Sequence, residues 1–357
     1  MNMGRSAWAS LMLLAGLPAA AAGAPAAASW TFAVSGDSRN CGAVVMPSIA
    51  VGARAHAARF YWHLGDLRFI RDFDADYRQL HPQATIAEYL ADAWTEFQQD
   101  QIEPFGELPF FLGIGNHEVI APKTREEFLL TFADWFDAPL IRAQRLRDDP
   151  RDHRVRTYYH WSIEGIDFIN LDNASAEQFD AAQRQWLTQQ LARDRQDPRV
   201  RAVVVGMHEA LPGSLAHTHS MEDELIEQST GREVYGQLLE LHASKPVYVL
   251  ASHSHFVMEQ IFDTPYWREH GGVLPGWIIG TAGAVRYALP DNVPSGRLAR
   301  TQVYGYLLAT VRPRGANDRD PSQFEFHEVG QAAIPPAVGA RFGEALIREC
   351  YERNVQF

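Results

Sequence analysis

Acidic, amide and imidazole side chains stand at the ends of five apolar runs in this chain. Asp37 follows Trp30 to Gly36, Asp66 follows Tyr61 to Gly65, and Asn116 and His117 follow Pro109 to Gly115. His208 ends Val203 to Met207, and His253 and His255 end the run that begins at Val247. Oxygen and imidazole donors in one ordered set point to a metal centre. Two divalent ions about 3.5–4 Å apart clamp a phosphoryl group, activate water and stabilise in-line displacement. Such a pair needs a bridging anion, and Asp66 suits that place because a carboxylate has two oxygens and the Gly65-Asp66 turn permits close approach. Mixed oxygen and imidazole donors favour manganese, iron or zinc over calcium. His253 and His255 are two residues apart, so in extended chain both rings point to the same side.

Residues so far apart in sequence meet only if the fold gathers the run ends. In open α/β sheets the crevice outside the carboxyl ends of the strands does this. Between the runs, Ile86 to Gln101, Arg125 to Phe136, Gln178 to Arg193 and Arg232 to His242 carry apolar residues at spacings of three and four, the mark of helices. Further strands are expected at Tyr158 to Ile163, Ile166 to Leu171, Trp277 to Ile279, Tyr304 to Val311 and Phe324 to Glu328. Strands alternating with helices predict an α/β architecture with helices covering sheet faces. The stretches Ala121 to Lys123, Ile141 to Asp152, Leu211 to Gly231 and Thr264 to Pro275 fit neither period and are expected to form the rim of the site.

The chain has 357 residues and 46% hydrophobic content, enough for a sizeable core. Its formal charge of −12 argues against a general affinity for nucleic acid or anionic lipid. Arg5, the apolar stretch Ala7 to Leu17 and the Ala-rich segment after it have the pattern of a cleaved export signal over residues 1–28, too short and too broken for a stable membrane anchor. No linker composition divides residues 29–357, which read as one domain. Cys41 and Cys350 are the only cysteines; they either pair in an oxidising compartment or remain as buried thiols.

The order of these motifs, with Gly115-Asn116-His117-Glu118 as the most specific match, resembles the calcineurin-like metallophosphoesterases, and the resemblance runs from Phe32 to the Gly-Thr-Ala-Gly turn ending at Gly283. It implies a two-sheet β-sandwich flanked by helices, a four-layer α/β/β/α arrangement, and hydrolysis of a phosphate mono- or diester. It also implies that Asp37 and His255 face one metal, that Asp66 bridges, and that Asn116, His208 and His253 hold the second. His117 would then be the catalytic residue, giving a proton or a hydrogen bond to the leaving oxygen, or else a brace for Asn116.

The chain departs from the family pattern at its first motif, which has Arg39 where His is usual. Arginine stays protonated and cannot ligate a metal. Nor does Phe69 replace it, since purple acid phosphatases carry Tyr at that place. Arg39 is therefore expected either to bind a substrate phosphate or to partner a carboxylate. Arg286 and Tyr287, just past the Gly-Thr-Ala-Gly turn, are further candidates for substrate contact or for packing. His217 and His219 fall in the expected rim, and His63 reads as a core residue.

Overall fold

The computed structural model describes residues 28–175, 179–216, 219–315 and 319–356. The expected export signal and His217 lie outside them.

Among the described residues fourteen strands form two large sheets and one small one. In chain order they are β1 (Trp30–Ser35), β2 (Ala58–His63), β3 (Phe110–Leu112), β4 (Tyr159–Ile163), β5 (Ile166–Asn170), β6 (Ala202–Gly206) and β7 (Val247–Ala251). They continue with β8 (Val257–Glu259), β9 (Gly276–Ile279), β10 (Arg286–Tyr287), β11 (Ala299–Arg300), β12 (Gly305–Val311), β13 (Ser322–Glu328) and β14 (Val355–Gln356). The first sheet has the order β13-β12-β1-β2-β3 and the second β11-β8-β9-β7-β6-β5-β4. β1, β2 and β3 run parallel, as do β5, β6, β7 and β9, while the outer strands are antiparallel. The block β9-β7-β6-β5 is central and the block β1-β2-β3 runs to the sheet edge, and within each the ends that carry the candidate ligands point the same way.

Side-chain alternation shows why the sheets stack. In β6, Ala202 and Val204 enter the core between the sheets, whereas Val203 and Val205 pack beneath helices. β7 repeats this with Tyr248 and Leu250 inward and Val247 and Val249 outward. Strands buried on both faces need continuous apolar runs, which is what these segments have. Aromatic rings fill the middle: Phe32 stacks on Phe60 at 5.1 Å and meets Phe168 edge-on at 5.1 Å, and Phe111 stacks on Trp161 at 4.0 Å. The helices Ala181–Gln196 and Leu225–His242 cover the second sheet, and Gly42–Ala55 packs on the first. The layering is the helix-sheet-sheet-helix order expected.

Several helical segments depart from the sequence expectation, among them Pro265–Glu269 within the expected rim. Pro139–Asp148 is a helix where a loop was expected, with Arg142 and Arg145 both paired to Asp137. Gly42–Ala55 is buried on nearly every face and so lacks an amphipathic stripe, and it also contains Pro47. Pro336–Glu352 closes the chain and is held by the Cys41–Cys350 disulfide, whose Cα atoms lie 5.9 Å apart. That bridge closes a loop of 309 residues between the end of the first ligand loop and the last helix. Its removal in a Cys41→Ala/Cys350→Ala variant is expected to cost roughly 2–5 kcal/mol, read as a lower urea midpoint; an unchanged midpoint would show that the surrounding packing alone secures the helix.

Candidate metal centre

The loop after β1 and the loop after β2 are tied by backbone hydrogen bonds, Asp37 N–H to the Gly65 carbonyl and Ser38 N–H to the Asp66 carbonyl, both at 3.0 Å. Glu118 locks the third loop onto them. Its carboxylate accepts from Asp66 N–H and Leu67 N–H at 2.9 Å each and from Gly115 N–H at 2.7 Å. Burial and the nearby Asp66 charge push its pKa up to about 8. His63 sits behind this turn, its Nδ1 accepting from Gly65 N–H at 3.2 Å and its Nε2 facing Ser38 Oγ at 3.0 Å. Asp37, Asp66 and His253 have φ of 60°, 59° and 63°, a left-handed backbone that costs on the order of 1–3 kcal/mol at a non-glycine residue. Such strain at three candidate ligands persists only because the surrounding loops over-determine it.

The side chains converge in two groups that share one carboxylate. Asp66, His208 and His253 form the first and Asp37, Asp66 and His255 the second, with the ligand atoms of each group within 4.8 Å of one another. His208 Nδ1 faces the Leu64 carbonyl at 3.0 Å and donates to it, which turns Nε2 toward the cluster. That Nε2 meets Asn116 Oδ1 at 3.1 Å, His253 Nδ1 at 3.0 Å and Asp66 Oδ1 at 3.3 Å. Ser252, where the family pattern has Gly, also donates to the Leu64 carbonyl at 3.1 Å and faces His208 Nδ1 at 3.1 Å, so it braces the imidazole. On the other side, Asp37 Oδ1 lies 3.1 Å from His255 Nε2, and Asp37 Oδ2 accepts from His253 N–H at 2.7 Å.

The electrostatics of the cluster call for positive charge. Burial opposes ionisation of Asp37 and Asp66, yet His255 and His208 outweigh it at Asp37, and His208, His117 and Arg39 do so at Asp66, holding both below the ordinary carboxylate range. Burial likewise opposes a charged His208, but Asp66 and Asp37 raise it to about 10. His253 and His255 are held down, chiefly by burial. Asp66 Oδ2 is fully buried and accepts no hydrogen bond. An unpaired buried carboxylate oxygen between imidazole and amide acceptors fits a cation, because such a group is otherwise costly.

His117 lies at the edge of the cluster. Its N–H donates to Asp66 Oδ1 at 3.0 Å, its ring stacks on Phe69 at 5.3 Å, and its Nδ1 is bonded to the Phe69 carbonyl. This leaves Nε2 free to face inward, 3.8 Å from Asp66 Oδ2. The group that orients His117 is thus the Phe69 backbone, while the adjacent Glu118 serves the turn. Arg39 is buried against the cluster and Phe69, with its guanidinium 5.3 Å from the Phe69 ring. Tyr287 stacks on His255 at 4.0 Å and on His219 at 4.9 Å, and its hydroxyl meets Arg39 at 3.4 Å.

Arg286 is placed elsewhere, which corrects the sequence expectation. Its guanidinium donates to the carbonyls of Asn354, Gln302, Cys350 and Tyr351 and lies over Tyr304, bracing the strand pair β10 and β14. Adjacent residues of a strand point to opposite sides, so Tyr287 faces the cluster and Arg286 cannot.

Two mixed sheets with helices outside and carboxylate and imidazole groups at the strand ends define the calcineurin-like metallophosphoesterase fold. No family model matches this sequence, and no curated protein does. Among solved structures the chain is similar to purple acid phosphatase PPD1 from yellow lupin (Lupinus luteus) seeds, with a TM-score of 0.55 and 15% identity over 84% of this chain and 51% of that one. It is also similar to GAP50, the anchor in the inner membrane complex of Plasmodium, with a TM-score of 0.50 and 10% identity over 87% of this chain and 96% of that one. The chain therefore spans about half the length of the lupin protein. At these identities the likeness establishes the fold alone.

Proposed function

We propose that the chain is a metal-dependent phosphoric ester hydrolase. The observation that carries this reading is the buried Asp66, shared by both ligand groups, with an oxygen that accepts no hydrogen bond, the Arg39 guanidinium 3.5 Å from it and the His117 imidazole at its edge. Asp66, Asn116, His208 and His253 would hold a divalent ion of the manganese, iron or zinc kind. When bound, such an ion supplies Lewis acidity toward a phosphoryl oxygen and acidifies water. Asp66 and Asn116 orient the centre through loops that Glu118 fixes. His117 presents Nε2 to the leaving oxygen, with its ring direction set by the Phe69 carbonyl. The second ion expected between Asp37, Asp66 and His255 meets the Arg39 guanidinium there. The substrate is a phosphorylated small molecule or another phosphate ester.

Export to an oxidising compartment belongs to the same proposal. The N-terminal pattern and the Cys41–Cys350 disulfide support it, and among the described residues no helix is long and apolar enough to cross a membrane. One domain over residues 29–357 is supported by the core that both large sheets share.

A second reading is a phosphate-ligand binding protein with little turnover. Arg39 in place of a ligand favours it, and the similar GAP50 is an anchor. The two readings separate in one assay. Metal-reconstituted protein is expected to hydrolyse an aryl phosphate monoester or diester, and chelation or His253→Ala to abolish this without loss of the folded circular dichroism spectrum. Turnover that survives both would sink the metal-dependent reading. Inorganic phosphate bound without turnover would favour the binding protein.

A further inference from the structure

We propose that the centre holds one divalent ion, and that the Arg39 guanidinium is the built-in cation of the other position. This rests on the metal-dependent reading above and concerns the side bounded by Asp37, Asp66 and His255.

His255 closes this side of the cluster. Its Nδ1 is bonded to the Val285 carbonyl, so that nitrogen carries the proton and Nε2 presents its lone pair inward. The lone pair accepts from Arg39 Nη2 at 3.0 Å. A single lone pair cannot serve both a guanidinium N–H and a metal ion. Arg39 also reaches the shared carboxylate, with Nε 3.5 Å from Asp66 Oδ2, the oxygen that a second ion would have to take. The guanidinium thus covers two of the three groups from inside the cluster.

Charge and packing keep it there. Arginine does not lose its proton in proteins. The Tyr287 hydroxyl at 3.4 Å and the Phe69 ring at 5.3 Å flank the group, and Arg39 is only 8% exposed. A divalent ion entering beside it would meet a like charge at contact distance in a buried site. The carboxylates of Asp37 and Asp66 supply two negative charges, which a guanidinium and one divalent ion already exceed.

The other side of Asp66 differs. Around His208 Nε2 the facing atoms are Asn116 Oδ1, His253 Nδ1 and Asp66 Oδ1, and among the described residues no arginine or lysine is bonded to any of these three. The two departures from the family pattern then belong together: Arg39 stands where a ligand would, and Phe69 offers its ring face to the guanidinium. Such a position offers phosphate directed N–H donors.

The test is a metal count on the full chain. Metal-free protein is saturated with Mn²⁺, excess ion is removed by gel filtration, and manganese per chain is measured alongside the EPR spectrum. One ion per chain with an uncoupled spectrum is expected for the wild type, one for His255→Ala and none for His253→Ala. Arg39→His should gain a second ion and a spin-coupled spectrum. Two ions in the wild type, loss of the ion in His255→Ala, or a folded Arg39→His that still binds one would each overturn the inference. If Arg39→His does not fold, the wild-type and His255→Ala counts decide alone. No ion in the wild type would overturn the metal-dependent reading as well, whereas two ions would leave that reading standing.

Discussion

Replacing His117 with alanine is expected to slow hydrolysis of an alkyl phosphate by about 10²–10⁴-fold while the metal content stays that of the wild type. The ring is held at Nδ1 by the Phe69 carbonyl and by stacking on Phe69, and only Nε2 faces the cluster. The Phe69 carbonyl keeps one proton on Nδ1 and burial lowers the pKa of the ring, so Nε2 donates only from the protonated imidazole; that donation to the leaving oxygen matters most when the oxygen leaves as a strong base. The loss should therefore be large for an alkyl phosphate and small for an activated aryl phosphate. A role as brace for Asn116 makes a different prediction, because it would lower metal affinity and slow both substrates alike. Equal losses for the two leaving groups, together with a lower manganese count, would assign His117 to that structural part.

How far the site was legible depended on the kind of contact. Ligand-bearing run ends such as Val203 to His208 announced themselves, because a strand buried on both faces must be apolar and a polar residue at its end must go somewhere. The helix Gly42–Ala55 did not, since burial on nearly all faces erases the spacing that marks an amphipathic helix. The disulfide stayed open until the Cα separation of 5.9 Å was known. Glu118 was visible as part of a motif, and its bond to Gly115 N–H is local, but the amides of Asp66 and Leu67 lie 52 and 51 positions away, and no local pattern encodes them. Arg286 and Tyr287 were weighed together as substrate contacts. Strand alternation sends them to opposite sides, but β10 has only two residues and pairs with β14 at the far end of the sequence, so its existence could not be read locally. Arg39 was recognised as a departure from the pattern, yet the sequence left open whether it faced substrate or carboxylate. Its contact with His255 joins residues separated by 216 positions.

Gly115→Ala is expected to damage this centre strongly although it adds a single methyl group. At φ −112° and ψ 179° the residue has an extended backbone open to any amino acid, so the glycine is not there for its conformational freedom. The reason is space: a Cβ would lie 2.3 Å from Asp66 Oδ1, 2.5 Å from Asp66 N and 2.9 Å from His208 Cε1. Two of these atoms are candidate ligand groups and the third is backbone in a strained turn, so none can move without disturbing the cluster. Overpacking costs about 1–3 kcal/mol, more than the roughly 0.4–1 kcal/mol that a compatible Gly→Ala change gains by restricting the unfolded chain. The clash therefore wins, and a lower melting temperature with weaker Mn²⁺ binding should appear together. Gly236 provides the matched control. It lies in the helix Leu225–His242 with nothing within 4 Å of an added Cβ, so there the gain stands alone and Gly236→Ala should stabilise the protein with metal binding unchanged. If Gly115→Ala were as benign as Gly236→Ala, the close approach of the third loop to Asp66 would not be what assembles this site.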